Sequence, residues 1–420
     1  MKISILNSHS VLNSGDAAIV VAQIQFLKKI SPEVKIKLSS RTPEIDKKFY
    51  GPLGVEVMPP LFQLPSLLSG REHRLRRMFK DLFSLSSKKS LLMGIKNSDF
   101  IISSGGGYLY SNHNIFPGPM FLQNLCQIII SLLLKKPVIL FPQSFGPFQN
   151  HLAVWMLKNV LEKKRVLKVF AREENSFNFL KSLLKTENGE KKVEICQDMA
   201  FCLESFTKTN KFPLNFDLPQ PIVALTLRSW DFPSIKNKRR KAKRLNEYLS
   251  SLRKACEKIH QRWKGSVVIF SQSRGPGIFE NDRKISSEFW KGLKEIIPEK
   301  NRQFIDLPDV LHPSFLVELI SKTDLILATR FHSAIFALIS GVPAITISYQ
   351  PKGKETMKIL GLGDFCLDID EVNPEKISEL IDKIIDHHSE IKNKILLKIK
   401  ELRSDIEKKL ENAIAPLLGK

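Results

Sequence analysis

Short β-branched runs recur along this chain, most of them separated by longer amphipathic segments, and this alternation constrains the fold more than any other feature. In the first half the runs are ISIL (3–6), KIKLSS (35–40), FIISSG (100–105), PVILFPQ (137–143), LKVFARE (167–173) and VEICQD (193–198). A second series follows: IVALTLRSW (222–230), SVVIFSQ (266–272), QFIDLP (303–308), LILATRF (325–331) and AITISYQ (344–350). The pattern predicts an α/β protein with parallel sheets and crossover helices. At 420 residues the chain exceeds what one hydrophobic core organises, and 43% hydrophobic residues suffice for two. Between the series, SFTKTNKFPLNFDLPQ (205–220) lacks periodicity and carries prolines, which makes it a linker. The expected organisation is an N-terminal Rossmann-like domain over 1–204, a linker over 205–220, a C-terminal Rossmann-like domain over 221–372 and a lysine-rich helical region over 373–420. Two such domains facing a cleft bind ligands at the carboxyl ends of their strands.

Several classes of function are excluded early. The most apolar stretch, Ile128–Leu134, follows Gln127, is broken by Ser131 and ends at Lys135, short of the ~20 residues a bilayer crossing needs. The N-terminal MKISILN lacks the apolar core and cleavage site of a secretory signal, so a cytoplasmic location is expected. Five cysteines (126, 196, 202, 256, 366) are scattered with no CxxC pair, which argues against disulfides and against a zinc site. No metal is expected.

The formal charge of +22 points to an anionic partner. KNKRRKAKR (236–244) packs seven cations into nine residues and reads as a solvated loop, or else as a contact for anionic lipid headgroups. Nucleic acid is excluded because no aromatic residues are interleaved for stacking. REHRLRRMFKDLFSL (71–85) is amphipathic and either packs on its own domain or lies on a membrane interface.

Strand ends carry the polar residues. LNSGDAAIV (12–20) places Asn13, Gly15 and Asp16 in a turn before a helix whose N-terminal N–H groups suit an anion. FIISS runs into Gly105, Gly106 and Gly107, which let backbone approach a ligand, and PQSFGPF (142–148) offers Gln143, Ser144 and Gly146 after its strand. Each is equally readable as a turn that merely caps the next element. Arg172 ends a strand in VFAREENS and either grips a carboxylate or phosphate or forms a salt bridge with Glu173, Glu174 or Asp198. In ATRFHSAIFALISGVPAITISYQPKGKE (328–355), Arg330 and His332 emerge where a buried strand ends, and Lys352 and Lys354 follow the next strand in a loop. Cations gathered at one sheet edge suit a small, multiply charged anion.

NSGDAAI, SSGGGYLY, QSFGPF, AREENSFNFL, QDMAF and above all RFHS followed by GVPAI and SYQPK resemble the polysaccharide pyruvyl transferase family. The matching blocks run in order from residue 13 to about residue 365. The resemblance implies a GT-B-like fold and transfer of a pyruvyl group from phosphoenolpyruvate to hydroxyls of a polysaccharide sugar or its lipid-linked precursor, as a ketal, with no cofactor. It also implies that Arg172 and Arg330 bind the donor's phosphate and carboxylate, that His332 is the general acid, and that Lys352 adds an anion contact with Ser333 beside it. Where the family often has leucine between the arginine and histidine, this chain has Phe331. The alternatives are a sugar-nucleotide-dependent GT-B glycosyltransferase and a non-catalytic polyanion-binding module.

Overall fold

The computed structural model describes residues 1–61, 85–112, 116–204, 216–277 and 280–418. Its contacts divide the chain into two units, one holding Met1–Leu203 and Leu402–Lys420, the other Glu204–Gly275 and Phe279–Glu401. Each is built on a parallel sheet flanked by helices.

The first unit contains β1 (Lys2–Ser8), β2 (Lys35–Ser40), β3 (Val55–Met58), β4 (Phe100–Ser103), β5 (Gly106–Ser111), β6 (Val138–Phe148), β7 (Val166–Ala171) and β8 (Val193–Ile195). Their order is β3-β2-β1-β4-β6-β7-β8, with β5 paired to β6. The second contains β9 (Ile222–Thr226), β10 (Ser266–Phe270), β11 (Arg302–Ile305), β12 (Leu325–Ala328), β13 (Ala344–Ser348) and β14 (Cys366–Asp368), ordered β11-β10-β9-β12-β13-β14. In both sheets the chain first steps outward from the founding strand and then returns to its other side. The order therefore reverses between β1 and β4, and again between β9 and β12, and a crevice opens at the carboxyl end of each reversal.

Central strands buried on both faces explain the nearly continuous apolar runs: Ile3, Ile5 and Leu6 of β1 and Val223, Ala224 and Leu225 of β9 are inaccessible to solvent. Helix Ser14–Ile30 begins where Asn13 accepts a hydrogen bond from the Gly15 N–H, with Asp16 in its first turn and Lys28 and Lys29 in its last, each complementing the local end of the dipole. From Leu402 the C-terminal helix His388–Ile414 belongs to the first unit. There Arg403 Nε donates to the Phe201 carbonyl at 2.6 Å, Lys409 Nζ donates to the Ile195 carbonyl at 3.0 Å, and Ile406, Leu410 and Ile414 are buried.

Several expectations are corrected. The run 236–244 is not a loop, because Asn237 accepts from the Arg240 N–H and starts a helix, Lys238–Trp263. That helix holds itself by burying Tyr248, Leu252, Ala255, Cys256 and Ile259 and leaves the cations of its first turns outside the core. PQSFGPF is not a turn after a strand but the second half of β6, where the pairing with β5 extends the ladder. The strands β3, β5 and β14 have no counterpart in the sequence pattern, being short or glycine-rich. The amphipathic stretch 71–85 lies outside the described residues except at Leu85, which begins helix Leu85–Lys96.

Candidate functional site

Two polar clusters stand at the strand ends, one in each unit. In the second unit, β9, β12 and β13 are neighbours in register, Thr226 beside Ala328 and Ala328 beside Thr346, so residues just past their ends come together. Arg330 caps helix Phe331–Ile339 at the end of β12. Its Nε and Nη2 donate to the two carboxylate oxygens of Asp282 at 2.7 and 2.5 Å, and Nη2 also donates to the Glu280 carbonyl at 3.1 Å. Burial opposes the charge on Arg330, but Asp282 outweighs it and raises the guanidinium above its ordinary pKa.

Arg228, two residues past β9, donates to the Tyr349 hydroxyl and lies over the Tyr349 ring at 4.2 Å and the Trp230 ring at 5.2 Å. Its Nε is buried without a hydrogen-bond partner. Burial and the charge of Arg330 lower the Arg228 pKa, against the opposing pull of Tyr349 and Asp282. Tyr349 shows the converse: burial pushes its phenol up, and Arg228, Lys352 and Arg330 more than reverse this, leaving it below its ordinary value. Lys352 sits 5.6 Å from the Phe331 ring centre and, with Thr329, Phe331, Thr346, Ser348 and Tyr349, lines a cavity. Lys352 and Lys354 belong to helix Pro351–Ile359 rather than to the expected loop. A Cβ on Gly353 would meet Ser348 Oγ at 2.6 Å, so a larger residue here would have to displace the Ser348 side chain. His332 is buried in the first turn after Arg330, its ring edge-on to Phe331 at 5.3 Å, and Ser333 is fixed by a hydrogen bond to Gln272.

In the first unit Asp16 accepts from the Tyr108 hydroxyl, and His9 stacks on Tyr108 at 5.1 Å with its Nδ1 3.3 Å from Asp16. Asn13 and the Gly15 N–H are engaged with each other at the helix start. Arg172 Nε donates to Ser144 at 2.7 Å and Nη1 to Asp198 at 2.5 Å, with Glu173 3.4 Å away. These are the salt bridges weighed from the sequence. Burial lowers the Arg172 pKa, and Asp198 with Glu173 more than offsets it. An added Cβ on Gly107 would lie 3.5 Å from Arg172 Nη2, so the glycine segment borders the arginine. Gly106 at φ +118° and Gly146 at φ +92° need glycine's freedom. Gln143 is buried in β6 with its Nε2 unbonded. Asp16, the glycine segment, Ser144 and Arg172 thus share one rim.

Sequence reasoning missed Arg228, Asp282, His9 and Tyr108. Arg228 carried the same signal as Arg330, an arginine just past an apolar strand; Asp282 carried none, since only the fold brings it to Arg330 from 48 positions away. Among the described residues no group of three or more metal-ligating side chains exists, and no helix is long and apolar enough to cross a membrane.

A sequence profile described as polysaccharide pyruvyl transferase matches residues 13–351, a range that holds Asp16, Arg172, Arg228, Asp282, Arg330 and His332. The chain belongs to the polysaccharide pyruvyl transferase family. It is an enzyme of phosphoenolpyruvate-dependent pyruvyl transfer to a polysaccharide or a precursor of one. This transferase is also 24% identical to the amylovoran biosynthesis protein AmsJ of Erwinia amylovora, over 96% of each chain. Among solved structures it is similar to UDP-GlcNAc 2-epimerase from Neisseria meningitidis bound to UDP-GlcNAc, with TM-score 0.59 and 13% identity over 99% of this chain and 100% of that one. It is likewise similar to Anabaena Alr3699/HepE in complex with UDP and glucose, with TM-score 0.54 and 13% identity over 100% and 99%. At such identities the likeness concerns the fold alone.

Proposed function

We propose that this transferase forms a cyclic pyruvyl ketal on a saccharide, with phosphoenolpyruvate bound by the second unit and the acceptor by the first, in a GT-B-like arrangement of two Rossmann-like units. The acceptor is a saccharide of a cell-surface polysaccharide or its lipid-linked precursor and the reaction is cytoplasmic; the similarity to an amylovoran biosynthesis protein supports the polysaccharide part of this reading. The observation that carries the reading is the excess of cations in the second cluster: Arg228, Arg330 and Lys352 surround Tyr349 at three adjacent strand ends, with Asp282 as the close carboxylate. Phosphoenolpyruvate combines a phosphate of up to about two negative charges with a carboxylate, and so matches that excess.

Asp282 occupies Nε and Nη2 of Arg330 and fixes the plane of its guanidinium, so Nη1 addresses the donor. Arg228 and Lys352 supply the uncompensated charge, and Arg172 keeps the donor-binding role that family membership implies for it. His332 protonates the methylene carbon of the enol, making the neighbouring carbon oxocarbenium-like. One acceptor hydroxyl attacks that carbon and its proton restores the His332 acid; a second closes the ketal as the C–O bond to phosphate breaks. The departing phosphate keeps the bonding electrons and can take up a hydroxyl proton, while the cations stabilise its charge. Ser333, Gln143, Ser144, Asn13, Gly15, Asp16, Gly106, Gly107 and Gly146 shape the binding surfaces around these groups.

Phosphate release from phosphoenolpyruvate, measured against a panel of glycosides, tests the assignment. His332→Gln and His332→Ala should both abolish release while the thermal melt stays unchanged; turnover retained in both removes His332 as the acid. Saturation-transfer NMR separates this reading from a sugar-nucleotide glycosyltransferase, since phosphoenolpyruvate should give the signal and UDP-sugars should not.

A further inference from the structure

Among the described residues, six of the ten large apolar side chains left exposed belong to one group of neighbouring helices in the first unit, whereas Val310, Ile359, Leu396 and Leu397 lie in the second. Leu133 (74% exposed), Trp155 (62%) and Phe116 (61%), with Leu92, Met93 and Leu152, lie on or directly before three helices of the first unit: Leu85–Lys96, Pro119–Leu133 and His151–Leu161. The helices pack side by side and share a hydrophobic cluster on their inner faces through Leu91, Phe121, Leu125 and Leu157. Helix Pro119–Leu133 is apolar on its outer side as well, where Leu122, Cys126, Ile129 and Ile130 are only half-buried and Leu133 completes the stripe. A surface helix ordinarily turns charged residues to water, and a contiguous apolar face marks something that covers it.

Charge identifies the occupant. None of the three helices contains an aspartate or glutamate, whereas Lys89, Lys96 and Lys158 are exposed on them and Lys135, Lys163, Lys164 and Arg165 are exposed just beyond their ends. The nearest carboxylates following them are already engaged: Asp99 accepts from the Lys2 backbone N–H, and Glu162 lies 3.9 Å from Lys158. A two-fold pairing of this face with a second copy would set like charge against like. We propose that these three helices form a docking face for an anionic lipid surface, with Leu133, Trp155 and Leu152 entering the interface and the lysines meeting headgroup phosphates. This places the enzyme on a membrane whatever its acceptor, and differs from the basic run 236–244, which belongs to the second unit.

The test is co-sedimentation of the full chain with vesicles of phosphatidylglycerol and phosphatidylcholine, or of phosphatidylcholine alone, at about 0.1 M and about 1 M salt. Binding is expected to the anionic vesicles only, weakening at high salt. Leu133→Ser combined with Trp155→Ser should lower the partition coefficient by about tenfold or more, with the thermal melt and the phosphoenolpyruvate NMR signal unchanged. With Trp230, Trp263 and Trp290 replaced by phenylalanine, brominated lipid should quench the fluorescence of Trp155. Three results overturn the proposal: no sedimentation with anionic vesicles, undiminished binding by the double variant, or a loss produced only by neutralising Lys238, Arg239 and Arg240. A dimer in light scattering that the double variant splits, without lipid binding, gives the face to a second copy and overturns it too.

Discussion

Asp282→Asn tests whether Arg330 depends on a buried counter-ion. The carboxylate accepts from Arg330 twice, at 2.7 and 2.5 Å, and from the Ser273 backbone N–H at 3.3 Å. Both partners are removed from water, with the side chains of Arg330 and Asp282 only 6% and 1% exposed. Asparagine keeps the shape but removes the charge, and its amide N–H2 cannot accept, so the buried cation is left with one acceptor on that side chain where it had two, beside the Glu280 carbonyl. Breaking one side of such a pair costs about 3–5 kcal/mol. In a unit of roughly 200 residues each kcal/mol moves the melting temperature by about 2–4 °C, which predicts a fall of about 6–20 °C for the second unit. Differential scanning calorimetry reads this directly. Asp282→Leu with Arg330→Met, which removes both charges, should recover most of the loss without restoring activity, because the cost lies in the orphaned ion. A melt within about 2 °C of the parent for Asp282→Asn, or a double variant no better than the single, refutes the reasoning.

Arg228→Gln should raise KM for phosphoenolpyruvate by about 10- to 150-fold, the worth of one charged hydrogen bond, while Arg172→Gln raises it less; initial rates of phosphate release against donor concentration check both. Gly105→Ala would put its Cβ 2.6 Å from the Pro142 carbonyl and 3.0 Å from Ile19, a backbone clash expected to cost about 1–3 kcal/mol in a denaturant titration. Asp46 is buried, and burial raises its pKa to about 6 against the opposing hydrogen bonds from Ser40, the Val11 N–H and Thr42. Because the folded state holds that proton more tightly than the unfolded chain does, this contribution is fully present below about pH 4 and is lost as pH rises through about 6. Asp46→Asn should therefore remove a pH-dependent term of about 3 kcal/mol from urea denaturation curves over that window.

The sequence was legible where burial alone dictates the pattern. Strands such as β9, β10, β12 and β13 announce themselves because near-continuous apolar runs are what a two-sided core demands, and Arg172 and Arg330 stand out because charge directly after such a run has to lie at its rim. What stayed hidden depends on contacts between distant positions. β5 is a strand only because β6 offers a free edge to a glycine-rich segment, and the cationic run at 236–244 is helical because apolar residues starting at Tyr248 anchor the turns behind it. Asp282 sits in an unremarkable stretch, and His9 is visible only through its stack on Tyr108, whose ring comes from 99 positions further on. The sequence shows which groups stand at a rim; only the fold shows which of them neutralise one another.

That neutralisation gives the two clusters opposite signs. Arg172 faces two carboxylates, Asp198 at 2.5 Å and Glu173 at 3.4 Å, so its immediate surroundings carry a net negative charge even with the guanidinium included. Around Arg330 the balance is reversed: Asp282 offsets one cation, and Arg228 and Lys352 remain, strongly enough to draw the Tyr349 phenol below its ordinary pKa despite burial. At an effective dielectric of about 20, a unit charge 4 Å away is worth about 4 kcal/mol before desolvation, so the sign of the surroundings matters more to an anion than the number of arginines. On the reading proposed above, a trianionic donor is therefore expected at the second cluster. Arg172, held by Ser144 and Asp198 and already compensated, offers an anion little net attraction, so its removal is expected to weaken donor binding less than that of Arg228.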